Sequence, residues 1–106
     1  MMKDQKGYFY ILTNRRKNVL YTGSTKNLID RVNKHRKGYQ KGFTQKYDVN
    51  QLVCYEIFEH IDQARVRERQ VKGWLRRRKI ELIESKNQQW KDLYDDLIRD
   101  PSLRSG

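Results

Sequence analysis

The sequence predicts an α+β fold, and three observations predict it. Two runs rich in aromatic and β-branched residues, Tyr8–Thr13 and Val19–Gly23, flank the polar segment Asn14–Asn18, which is a hairpin signal. A third run, Leu52–Phe58, places apolar side chains on both of its faces, as a central strand covered on both sides does. Elsewhere apolar residues recur at helical spacing. The resulting order is β-β-α-β-α-α.

The elements follow in turn. If Thr13 to Asn18 form the connection of the hairpin, Leu12 faces Val19 and Tyr10 faces Tyr21. Paired residues share a face, so both phenols then meet on one side, whereas a one-residue slip separates them. The first helix starts near Ser24 to Asn27, where capping residues cluster. Its core stripe is Leu28 and Val32, with Ile29 beside them; Lys34, His35, Arg36 and Lys37 suit its C-terminal dipole, and Gly38 can end it. Residues 38–50 read as a long basic loop. After the third strand, Ala64, Val71, Trp74 and Leu75 mark a helix from about Asp62 to Arg78. A short helix is expected at Ile80–Glu84. Asn87 can cap a last one through Trp90, Leu93, Tyr94, Leu97 and Ile98. The length of 106 residues predicts one domain, 1–106, with an ordered core at about 7–98 and a frayed polar tail at 99–106.

Only 36% of residues are hydrophobic and 35% are charged, so the core is small. The formal net charge is +11, and it is segregated: residues 1–83 hold 20 Lys/Arg against 8 Asp/Glu, and residues 84–106 hold 4 against 5. Such an excess favours a polyanion through phosphate neutralisation and counterion release. An anionic membrane is the rival partner, but no long basic amphipathic helix supports it. Cys54 stands alone and cannot form an internal disulfide. No apolar leader or membrane span is evident, so a cytoplasmic protein, monomeric and without a small-molecule cofactor, is expected.

Tyr8-Phe9-Tyr10 and Tyr21-Thr22-Gly23 resemble the two tripeptides that name the GIY-YIG nucleases. The resemblance continues through Arg31 and His35, Gly42–Tyr47, Arg67–Trp74 and Asn87–Leu93, over roughly residues 7 to 97. These blocks look like the small stand-alone bacterial branch, the YhbQ-like proteins. The resemblance implies a three-stranded, antiparallel-type sheet with flanking helices. It also implies a metal-dependent endonuclease acting on DNA, structure-selective or weakly sequence-specific, with a role in repair or recombination. A DNA- or RNA-binding module that keeps the fold without cutting is the alternative. Tyr8 and Phe9 stand where the first tripeptide has glycine and isoleucine, Thr22 replaces isoleucine in the second, and Gln88 replaces a proline common in this branch. Larger relatives carry a separate targeting domain for which this sequence shows no counterpart.

Glu68 is the most informative single residue. It falls on the stripe shared by Ala64, Val71 and Leu75, and a carboxylate there needs a partner. Spacing alone leaves two partners open: a divalent cation, or an arginine or Lys72 one turn on. The resemblance favours the cation, Mg²⁺ or Mn²⁺. Arg31 and His35 are one turn apart and can converge; a guanidinium can fork onto a phosphate as charge develops. The resemblance adds Tyr10 and Tyr21 to the catalytic set, with Tyr21 as proton acceptor, and leaves Tyr8 to packing. A free phenol has a pKa of about 10, so ionising it near neutrality takes roughly 4 kcal/mol of assistance. Lys34, Lys46, Arg65, Arg76, Arg77 and Arg78 are the candidate grips on the nucleic-acid backbone, contacts that carry no sequence code.

Overall fold

Strand β1 (Gly7–Thr13) lies between β2 (Leu20–Thr25) and β3 (Gln51–Phe58) in one antiparallel sheet of order β2-β1-β3. The computed structural model describes residues 6–37 and 47–100. Among these, four helices accompany the sheet: α1 (Leu28–Arg36), α2 (Ile61–Lys72), α3 (Arg76–Lys86) and α4 (Tyr94–Arg99). None is long and apolar enough to cross a membrane.

The seven residues of β1 are all buried, and their alternation explains the layers. Tyr8, Tyr10 and Leu12 point to one face, where Leu28 and Val32 of α1 and Leu97 of α4 close over them. Phe9 and Ile11 point to the other, against Val71 of α2 and Ile83 of α3. Each fully buried aliphatic or aromatic side chain stabilises the fold by about 1.5–3 kcal/mol. The central strand β1 can therefore be apolar at both parities; β3, expected to be the central strand, lies at the sheet edge instead, and its Leu52, Val53 and Cys54 are apolar on both faces because helices cover both sides there. Cys54 is a free, buried thiol of β3, and burial pushes its pKa up to about 12.

The hairpin register differs from the expected one. Tyr10 pairs with Gly23 and Leu12 with Tyr21, a shift of two residues. Asn14 causes it: its Oδ1 accepts from the Asn18 and Val19 amides at 3.1 and 3.3 Å, and Thr13 Oγ1 donates to the Val19 carbonyl at 2.7 Å. Val19 is thereby drawn into the turn. A slip of two leaves every side chain on its face, so Tyr10 and Tyr21 still share one.

Helix boundaries differ as well. Asn27 caps α1, its Oδ1 accepting from the Asp30 amide at 3.0 Å, and Lys37 is the C-cap; Gly38 lies outside the described residues. The helix expected from Asp62 to Arg78 stops at Lys72, where the Gly73 and Trp74 amides donate to Gln70 and Val71. A new helix starts at Arg76 and absorbs the short one expected at Ile80–Glu84. The break turns Trp74 onto the sheet's second apolar cluster and leaves Leu75 75% exposed. Asn87 does not open the last helix. Its amide donates to the Val53 carbonyl at 3.1 Å and to the Lys91 carbonyl at 2.7 Å, which stitches the end of α3 to β3. The last helix starts after Leu93, and Asp92 Oδ1 accepts from the Leu52 and Tyr94 amides beside it.

Gly7 is where α2 begins its crossing. A Cβ there would collide with the Ile61 Cα and lie 2.9 Å from the Ile61 nitrogen, all backbone that cannot step aside. Gly7→Ala is expected to destabilise the fold by about 1–3 kcal/mol, seen as a lower denaturant midpoint at unchanged slope. An unchanged midpoint would contradict this packing.

Candidate active site at the sheet edge

The edge strand β2 brings the candidate residues together from both faces of the sheet. On one face the Tyr10 ring lies over Gly23, its strand partner. A Cβ at Gly23 would sit 2.5 Å from Tyr10 Oη and 2.6 Å from Cζ, so only glycine leaves room for the phenol. Tyr10 is 1% exposed. Tyr21 and His35 complete a cluster of three rings: centroids are 6.3 Å apart for Tyr10–Tyr21, 6.5 Å for Tyr10–His35 and 5.6 Å for Tyr21–His35. The even register shift preserves the shared face on which this cluster depends.

On the other face, the next residue of β2, Ser24, donates its hydroxyl to Glu68 Oε1. Lys72 Nζ lies 2.6 Å from Glu68 Oε2. The Glu68 side chain is 21% exposed, neither sealed in the core nor loose in solvent. Its orientation is fixed by its neighbour. Arg67 forks onto Glu56 of β3, Nε to Oε1 at 2.8 Å and Nη2 to Oε2 at 3.1 Å, and stacks near Phe9 and Trp74. That hydrogen bond raises the Arg67 pKa further. Successive residues project about 100° apart around a helix, so locking Arg67 to β3 aims Glu68 at β2.

Electrostatics links the two faces. Burial raises the Tyr10 pKa well above the usual phenol value, and the phenol of Tyr21 and the charge of Glu68 push it the same way. The positive charge of the Arg31 guanidinium on α1 opposes this. Tyr10 is therefore a neutral hydrogen-bond donor at neutral pH, not a base. Burial, aided by Arg31, lowers the His35 pKa from 6.5 to about 4. Both His35 ring nitrogens are buried without a hydrogen-bond partner among the described residues, so a neutral imidazole with unused polar capacity faces Tyr21.

The structure brings Tyr10, Tyr21, Arg31, His35 and Glu68 around one strand edge. The expected backbone grips are more scattered. Lys34 pairs with Asp30 at 3.2 Å and Arg65 with Asp62 at 3.4 Å, both exposed. Arg76 Nη2 reaches the Lys17 carbonyl at 3.5 Å, and Arg78 stacks on Trp74 at 4.0 Å. Arg77 and Arg78 line a surface depression beside Trp74 and Glu81, formed by the residues around Gly73–Arg78 and not by the rings. Lys46 lies outside the described residues. Sequence reasoning missed Ser24, which it read only as a possible helix cap, and the steric demand on Gly23. The signal for Ser24 was its place directly after that glycine, on the opposite face of the strand.

One carboxylate suits magnesium or manganese, since magnesium commonly takes only one or two protein carboxylates and completes its shell with water and phosphate oxygens. Glu68 is the carboxylate of this site that could hold such an ion. Among the described residues no group of three or more His, Cys, Asp or Glu gathers anywhere.

His35 makes stability pH-dependent. The unfolded chain takes up the imidazole proton at about 6.5 while the folded one resists it until about 4. The stabilisation is therefore whole above pH 6.5 and is lost as pH falls toward 4, up to about 3 kcal/mol. Denaturant titrations across that window should show the loss in the wild type and a smaller one in His35→Leu. Parallel pH curves would refute it.

Comparisons with known proteins bear on the family and the fold. The model of the GIY-YIG catalytic domain matches residues 6–81. A UPF0213 protein of Clostridium perfringens, CPE1444, is 38% identical over 80 residues, covering 76% of this chain and 85% of the relative. A UPF0213 protein of Pediococcus pentosaceus is 38% identical over 76 residues, covering 72% and 79%. The solution NMR structure of the UPF0213 protein BH0048 from Bacillus halodurans aligns with a TM-score of 0.53 at 29% identity, covering 82% of this chain and 92% of that one. With its paired tripeptide strands, ring cluster and crossing helix in the matched region, the chain belongs to the GIY-YIG family, alongside the small UPF0213 proteins.

Proposed function

We propose that this protein is a metal-dependent endonuclease that hydrolyses phosphodiester bonds in DNA, structure-selective or weakly sequence-specific, with a role in repair or recombination. The observation that carries the reading is the convergence on one edge strand of three rings, a guanidinium and a single half-buried carboxylate.

In this reading Glu68 holds Mg²⁺ or Mn²⁺, which supplies charge neutralisation at the scissile phosphate and lowers the pKa of water. The chain's own residues do the rest. Arg31 faces the phosphate oxygens and stabilises the charge that grows on them. Tyr21, half-buried at the rim of the ring cluster, takes the proton of the attacking water while passing its own phenolic proton to bulk water. Neutral His35 packs its ring against Tyr21 and so holds that phenol in place. Tyr10, held as a phenol by burial, donates a hydrogen bond and fixes the rings against Gly23. Ser24 and Lys72 keep the Glu68 carboxylate aimed.

One observation favours a second reading, a non-catalytic DNA- or RNA-binding module. Both Glu68 oxygens are already satisfied within the chain, by Ser24 and Lys72, so the fold does not need a cation to settle that charge.

The two readings separate in one experiment. Plasmid, branched DNA and single strands are incubated with the protein in magnesium, manganese or chelator. Metal-dependent cutting is expected, and both Glu68→Gln and Arg31→Ala should slow it by about a hundredfold or more. Unchanged cutting by Glu68→Gln would reject the site, and binding without cutting by the wild type would select the second reading.

A further inference from the structure

One gathering of cations lies outside the ring cluster, on the β1–β2 turn and the start of α3. Asn14 locks the β1–β2 turn through its bonds to Asn18, including Nδ2 to Oδ1 at 2.7 Å, and Lys17 adopts a left-handed φ of 60°. The turn thus presents Arg15, Arg16 and Lys17, all exposed, from a backbone that is already ordered. Against it stands the start of α3, where Arg76 reaches the Lys17 carbonyl at 3.5 Å; Arg77 and Arg78 follow in the same first turn of that helix. Arg78 is stiffened by its stacking on Trp74.

These six cations differ from many others in the chain. Lys34, Arg36, Arg65, Arg67, Lys72, Lys86, Lys91 and Arg99 each face a carboxylate. Among the described residues none of the six does, although Glu81 lines the same depression as Arg77 and Arg78. Two like-charged segments pressed together without counter-charges repel each other. A polyanion relieves that repulsion, and a regular row of phosphates suits two adjoining triplets.

We infer that the Arg15–Lys17 turn and the Arg76–Arg78 start of α3 form a second phosphate grip that holds a duplex arm beside the candidate active site. The inference rests on the nucleic-acid substrate proposed above and narrows it. Three residues separate Tyr21 from Asn18, and since each spans at most about 3.6 Å the end of the turn lies within roughly 11 Å of Tyr21. Duplex DNA rises about 3.4 Å per step, so the grip meets the arm within about three base pairs of a phosphate held at Tyr21. Two segments offering cations from a strand turn and a helix start suit the two phosphate rows of a duplex arm, whatever its sequence.

Binding tests this without cutting. Anisotropy of a short fluorescein-labelled duplex is measured with the full chain in chelator, across about 50–200 mM salt. Replacing Arg15, Arg16 and Lys17 together by Gln should make the slope of log affinity against log salt shallower by about 2.7, close to 0.9 for each lost phosphate contact. Arg77→Gln alone should remove about 0.9, and Arg99→Gln, on α4 and paired with Asp96, should remove none. Thermal melts check that the variants fold; if the triple variant does not, Arg15→Gln and Arg16→Gln singly are read for the same per-contact change. An unchanged slope in the turn variants overturns the grip, as does an equal change in Arg99→Gln. Loss of binding in Leu75→Ser as large as in the turn variants also overturns it, in favour of an apolar docking face. A wild type that binds with the expected slope but never cuts leaves the grip standing and rejects only the nuclease.

Discussion

The arrangement depends on how α2 crosses the sheet. Two consecutive residues of one helix reach opposite edge strands: Arg67 grips Glu56 on β3, and Glu68 accepts from Ser24 on β2. Between them runs β1, wholly buried. A partly buried ion pair adds little net stability, because desolvation offsets much of its attraction. Its contribution here is orientation. Breaking it would leave Glu56 without its principal partner and free α2 to rotate, and a rotation of one residue carries Glu68 off the strand edge.

Around that crossing, small residues decide what the large ones can do. Gly7 lets the start of α2 come down onto the sheet, and Gly23 lets Tyr10 lie flat across the edge strand. The Tyr10 phenol is then buried enough to stay protonated, and the His35 imidazole buried enough to stay uncharged. The cluster thus holds neutral polar groups beside a guanidinium and a carboxylate. Neutral donors and acceptors of this kind need little reorganisation when charge appears in front of them.

Much of this was legible from residues alone. The alternation of β1, the apolar β3, the Leu28–Val32 stripe and the spacing of Arg31 from His35 all name their elements directly. Glu68 was legible as a carboxylate on a core-facing stripe, and Lys72 as one of its possible partners. The register was not, because Asn14 sets it with side-chain bonds that the pattern of apolar residues does not encode. The break after Lys72 was hidden because Trp74 and Leu75 continue the helical spacing although Gly73 has already ended the helix. Asn87 looks like an N-cap by type, yet its amide serves β3 and the segment after α3. Each miss is a polar side chain or a glycine acting across distance, where periodicity is silent.

The chain's single sulfhydryl, at the centre of β3, is sealed and holds its proton far above neutrality. Electrophiles that seek thiolates therefore find nothing to attack while the strands stay zipped. A covalent tag appearing at Cys54 would record an opening event in the middle of the molecule, so the protein carries its own clock for sheet breathing, read by mass alone.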